Sequence, residues 1–77
     1  MIFLIQYDRK AGQIVSIQRY AEDQRSLADR VRLDLELELV RQGRQDEVVV
    51  LDAVTEEDLR KTHRRYFEDL ITLAHVS

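Results

Sequence analysis

The sequence predicts an α+β fold of order β-β-α-β-α, a three-stranded mixed sheet in strand order 2-1-3 with two helices packed mainly on one face. Three observations carry this expectation. Two β-branched and aromatic runs near the start flank a short polar loop that contains Gly12. The stretch 24–42 is rich in Leu, Glu and Arg, which favour helices. A nearly continuous apolar run at 47–54 is followed by an acidic helix start. At 77 residues the chain has room for one domain, 1–77.

The first strand, 1–7 (MIFLIQY), is apolar on both faces, which places it at the centre of the sheet. The second, 14–20 (IVSIQRY), follows the loop DRKAGQ. There Asp8 can fold onto its own backbone, and Gly12 can supply the positive φ that closes a hairpin.

Residues 24–42 are ambiguous by pattern alone. Val31, Leu33, Leu35, Leu37 and Leu39 alternate with Arg32, Asp34, Glu36 and Glu38, a period of two that imitates a strand. Propensity decides for a helix, because Asp and Glu are poor strand residues. The ends agree: Asp23 or Ser26 can cap the start, and Gly43 stands where a left-handed residue ends a helix. Helical spacing then yields two apolar stripes. Leu27, Val31, Leu35 and Leu39, with Ala28 beside them, make the first; Leu33, Leu37 and Val40 make the second. One stripe can face the sheet, and the other needs a second helix or a second molecule.

The run 47–54 (EVVVLDAV) reads as the third strand. Thr55 opens the second helix, 56–71, with Asp58 three positions on and Glu56 and Glu57 at the positive end of the dipole. Its stripe is Leu59, Tyr66, Phe67, Leu70 and Ile71, with His63 in line. The tail 72–77 continues the helix, frays, or adds a short strand. Right-handed crossover runs the third strand in the direction of the second.

Composition excludes several kinds of chemistry. With no cysteine there is no disulfide, thiol nucleophile or thiolate metal site, and two glycines cannot build a phosphate-cradling loop. The opening Met1 to Ile5 is too short for the apolar core of a secretory leader, has no basic stretch before it and is soon followed by the charged Asp8, Arg9 and Lys10, and no apolar run could span a bilayer, so the expected location is the cytoplasm. His63 and His75 stand twelve apart, which is no metal-pair spacing. His63 reads as a partly buried histidine, and His75 sits in the tail. The carboxylates Glu56, Glu57 and Asp58 serve the helix dipole, and Asp34, Glu36 and Glu38 a solvated face. Asp52 interrupts an apolar strand, which suits an edge position or an arginine partner. The chain is accordingly expected to be non-enzymatic, with no catalytic, cofactor or metal residue to name.

A domain this short, without disulfide or metal, is expected to gain stability from a partner. If both helices cover one face, the other face of the sheet is left as an apolar patch of a kind monomers rarely expose. Ile2 and Leu4 on that face, with Leu33, Leu37 and Val40 on the first helix, form the candidate interaction surface, and the expected assembly is a homodimer, with any further protein partner unknown. The alternative is RNA binding through Arg60, Lys61, Arg64 and Arg65 on one face of the second helix. Charge opposes it. Residues 47–77 hold four basic against seven acidic groups, the whole chain carries −3, and Glu56, Glu57, Glu68 and Asp69 stand four residues from the four cations. Binding to a membrane surface is opposed by the same interleaved acids.

Overall fold

The computed structural model describes residues 1–67, apart from the side chain of Arg65. The expected end of the second helix at 68–71, the tail 72–77 and His75 lie outside the described residues. The elements in order are β1 (Ile2–Asp8), β2 (Gln13–Tyr20), a 3₁₀ turn (Glu22–Gln24), α1 (Arg25–Arg41), β3 (Glu47–Asp52), α2 (Glu56–Thr62) and a second 3₁₀ turn (Arg64–Tyr66). The sheet order is β2-β1-β3, as expected.

The strands are not mixed in direction within their pairings. β3 does run parallel to β2, but β1 lies between them and pairs antiparallel with each. The sheet is therefore antiparallel throughout.

Local chemistry closes each turn. The Asp8 carboxylate accepts from the backbone N–H of Lys10 (2.9 Å) and Ala11 (3.1 Å), and Gly12 takes φ +67°. On β2 the pairing slips by one residue between Gln6 and Tyr7, so that Ile5 faces Ile17 and Tyr7 faces Ile14. The extra residue, Val15, is 51% exposed. This bulge is why Ile14 and Ile17, an odd number apart, both reach the same side. After α1, Gly43 adopts φ +69°, Arg44 donates to the Leu39 carbonyl (2.9 Å) and Gly43 to that of Val40 (3.1 Å), a Schellman end. The start of α1 differs from expectation. Neither Asp23 nor Ser26 caps it; the chain enters through the 3₁₀ turn, with Gln24 at the cap position and no side-chain cap bond.

The helices cover opposite faces of the sheet, which corrects the one-face expectation. Alternation along β1 sends Ile2, Leu4 and Gln6 to one side and Phe3, Ile5 and Tyr7 to the other. Leu59 of α2 packs with Phe3 and Ile5, joined by Ile14, Ile17, Val49 and Leu51. On the same side Arg19 pairs with Glu56, and Tyr66 donates to Glu47 at 3.0 Å. Helix α1 contacts β1 and β3, and both its ends are tied to the Ile2 side. Arg25 donates to Asp52 (2.8 Å), which stands across from Ile2, while Gln6 donates to Asp46 (2.7 Å) just beyond the helix. Ile2 is 0% and Leu4 1% exposed. The reason lies in β1, which is apolar on both sides and needs cover on both.

The second helix is shorter than the expected 56–71. Thr55 caps it by accepting from the Asp58 N–H at 3.1 Å, and it ends at Thr62. There the Thr62 hydroxyl bonds back to the Asp58 carbonyl (2.9 Å), and His63 leaves helical geometry at φ −124°, ψ 51°.

Candidate interaction surface

Helix α1 shows two apolar stripes, set by the 3.6-residue repeat. Ala28 and Leu39 are buried and Val31 and Leu35 half-buried, which marks the face against the sheet. Of that stripe only Leu27 departs, at 48% exposed. Leu33, Leu37 and Val40 lie on the far side of the helix, 52%, 58% and 75% exposed. Spaced i, i+4 and i+7, they make one line of apolar contact pointing away from the chain's own core.

Ile2 and Leu4 belong elsewhere. Both are interior, so of the five residues expected at a surface only Leu33, Leu37 and Val40 are exposed.

Of the four cations of the alternative site, only Arg60 and Lys61 lie on α2. They pair with Glu56 and Glu57 at 3.4 Å each, as expected from their spacing. Arg60 also lies 4.6 Å over the Phe67 ring. Arg64 falls in the following 3₁₀ turn, beyond the break at His63. The expected pairs of Arg64 with Glu68 and of Arg65 with Asp69 lie outside the described residues.

The other singled-out side chains are held structurally. Asp52, exposed on an edge strand, receives Arg25 and lies 3.7 Å from the Met1 ammonium. His63 is half-buried at the end of α2, its ring 6.5 Å from that of Tyr66, which meets Tyr7 edge-on at 5.3 Å. Among the described residues no three His, Asp or Glu side chains group to hold a metal ion, and no helix is long and apolar enough to cross a membrane.

One polar cluster was not legible from the chain order. Asp46, whose side chain is 6% exposed, accepts from Gln6 and pairs with Arg44 at 2.9 Å, while Arg44 also reaches Asp8 at 3.8 Å. It ties the hairpin, the centre strand and the loop after α1. The only signal was Gln6 itself, a polar residue inside an apolar strand. The surface beside it forms a hollow of about 320 Å³ lined by Arg9, Lys10 and Gln45 as well. A second hollow, about 380 Å³, lies between the hairpin and Arg60, Tyr66 and Phe67. Comparison of the chain with protein-family models, curated proteins and solved structures finds no match in any of the three.

Proposed function

We propose that this chain is a non-enzymatic protein-interaction module that acts as a homodimer, with the outer stripe of α1 as its seam. The observation that carries the reading is the line of Leu33, Leu37 and Val40, more than half exposed on a helix whose other face already holds the core. Supporting it is the size of the chain, which has no disulfide to reinforce a small interior.

Magnitudes set the strength of such a dimer. Burying the exposed parts of six Leu and Val side chains, three from each copy, gains roughly 5–10 kcal/mol. Association costs about 4–15 kcal/mol in lost freedom. The two ranges overlap, so such a dimer can only be weak, with a population that rises with concentration.

Sedimentation equilibrium over a range from about 10 μM to 1 mM tests it. The expected result is a mass rising from that of the 9.1 kDa monomer towards twice that value. Leu37→Asp is expected to hold the mass at the monomer value, while its unfolding free energy at low concentration stays within about 0.5 kcal/mol of the parent, because Leu37 is a surface residue of the monomer. A parent that stays monomeric throughout overturns the proposal.

A further inference from the structure

We propose that the hollow between the β1–β2 hairpin loop and the loop after α1 binds a small phosphate monoester, held by Arg9, Lys10 and Arg44. None of its residues belongs to the outer stripe of α1, and the site stands whether or not two copies pair.

Two loops build it. Asp8 folds the hairpin loop onto itself by accepting from the backbone N–H of Lys10 and Ala11, and Gly12 at φ +67° returns the chain, which leaves Arg9 and Lys10 at the tip. Gly43 at φ +69° ends α1 and turns the chain into Arg44, Gln45 and Asp46. Arg44 joins the two loops, pairing with Asp46 at 2.9 Å and reaching Asp8 at 3.8 Å. The space between them, about 320 Å³, stands at the low end of small-molecule sites.

The groups around the hollow favour an anion. Three cations face two carboxylates, in a chain whose overall charge is −3. Both carboxylates are spent on the frame: Asp8 on two backbone N–H groups, and Asp46, its side chain 6% exposed, on Gln6 and Arg44. Glu47, next in the chain, accepts from the Tyr66 hydroxyl (3.0 Å) on the other side of the sheet from Gln6. The donors are less committed. Lys10 is exposed and has no ion-pair partner among the described residues. Arg9 lies 3.8 Å from Glu47, beyond hydrogen-bond length, with its side chain 64% exposed. Arg44 meets both acids through a single nitrogen, Nη2. The α1 carbonyls that could repel an anion here, those of Leu39 and Val40, are taken by the Arg44 and Gly43 N–H groups.

The donor set selects the ligand. Two planar guanidinium groups and an ammonium suit the several oxygens of one phosphate. A monoester carries about −1.5 to −2 charge at neutral pH, which exceeds what a single cation can balance. No aromatic residue lines the hollow, so there is no platform for a base. The fitting ligand is a small polar ester rather than a nucleotide or a nucleic-acid strand.

Titration of the isotope-labelled chain with glycerol phosphate and with inorganic phosphate, at fixed ionic strength and followed by backbone amide shifts, tests the site. Saturable shifts are expected at residues 8–12 and 43–46, with a dissociation constant on the order of 1 mM. Arg9→Gln and Lys10→Gln change exposed side chains and are each expected to weaken binding about tenfold with the fold intact. Lys61→Gln on α2 is expected to leave it within about twofold. Dimethyl phosphate, a singly charged diester like those of nucleic acids and lipids, is expected to bind about fivefold more weakly than glycerol phosphate. Shifts that do not saturate by about 50 mM overturn the site. So does a loss with Lys61→Gln as large as that with Lys10→Gln, which marks diffuse charge screening. Diester binding as tight as that of glycerol phosphate overturns the monoester assignment.

Discussion

Gly43 closes α1 at φ +69° with no atom within 4 Å of where a Cβ would stand. Any cost of Gly43→Ala is therefore backbone cost, about 1–2 kcal/mol for an L-residue held in the left-handed region. Urea unfolding should show a lower midpoint at unchanged slope. At the other end of the chain the Met1 ammonium donates to Glu22, and this bond raises its pKa above the ordinary value, with Asp52 at 3.7 Å adding to it. Because the folded state holds that proton more tightly than the unfolded chain, the tie contributes fully below the ordinary α-amino range and is lost as pH rises through the raised pKa. Thermal midpoints between pH 7 and 9 should fall with pH, and fall less in Glu22→Gln.

Helix α2 shows how much one side chain carries in a short element. Its seven residues have good chemistry at the start, with Thr55 as cap and Glu56, Glu57 and Asp58 in the first turn. Leu59 is its one buried residue, and it closes the Phe3 and Ile5 face. Leu59→Ala is expected to cost about 2–5 kcal/mol, a large share of the stability of a domain this small. Chemical denaturation followed by circular dichroism measures it. Helix α1 makes the opposite case: seventeen residues long, it keeps Leu33, Leu37 and Val40 outside the monomer's core. A change at Leu37 should alter association without altering the monomer, and the contrast with Leu59 is the sharpest check on which side chains belong to the fold.

For the whole molecule, the three layers account for where the apolar residues go. A single strand with both faces covered gives the core its centre, since Ile2 to Ile5 are at most 1% exposed. With both faces occupied, the sheet leaves no broad face for a partner, and the exposed apolar line that the proposed homodimer would use is the outside of α1. Ion pairs across layers, such as Arg19 with Glu56 and Arg25 with Asp52, join exposed groups. They orient the helices more than they stabilise them.

Much of this was readable in the chain because local signals agreed. Asp8 with Gly12 marked the hairpin, Gly43 the end of α1, Thr55 the start of α2, and the two-sided apolar character of β1 its central place. The double stripe of α1 was readable too, since a 3.6-residue period sorts Leu33, Leu37 and Val40 from Leu35 and Leu39 without reference to any other element. The bulge at Val15, the bonding of Gln6 to Asp46 and the early end of α2 were not, because each depends on groups far apart in sequence or on a balance among several weak terms. Above all, strand order did not say which side of the sheet each helix takes. Only the packed structure decided that: the same apolar strand can be hidden by two helices on one side and a partner on the other, or by one helix on each, and the choice rests on how loop lengths and side-chain volumes fit in three dimensions.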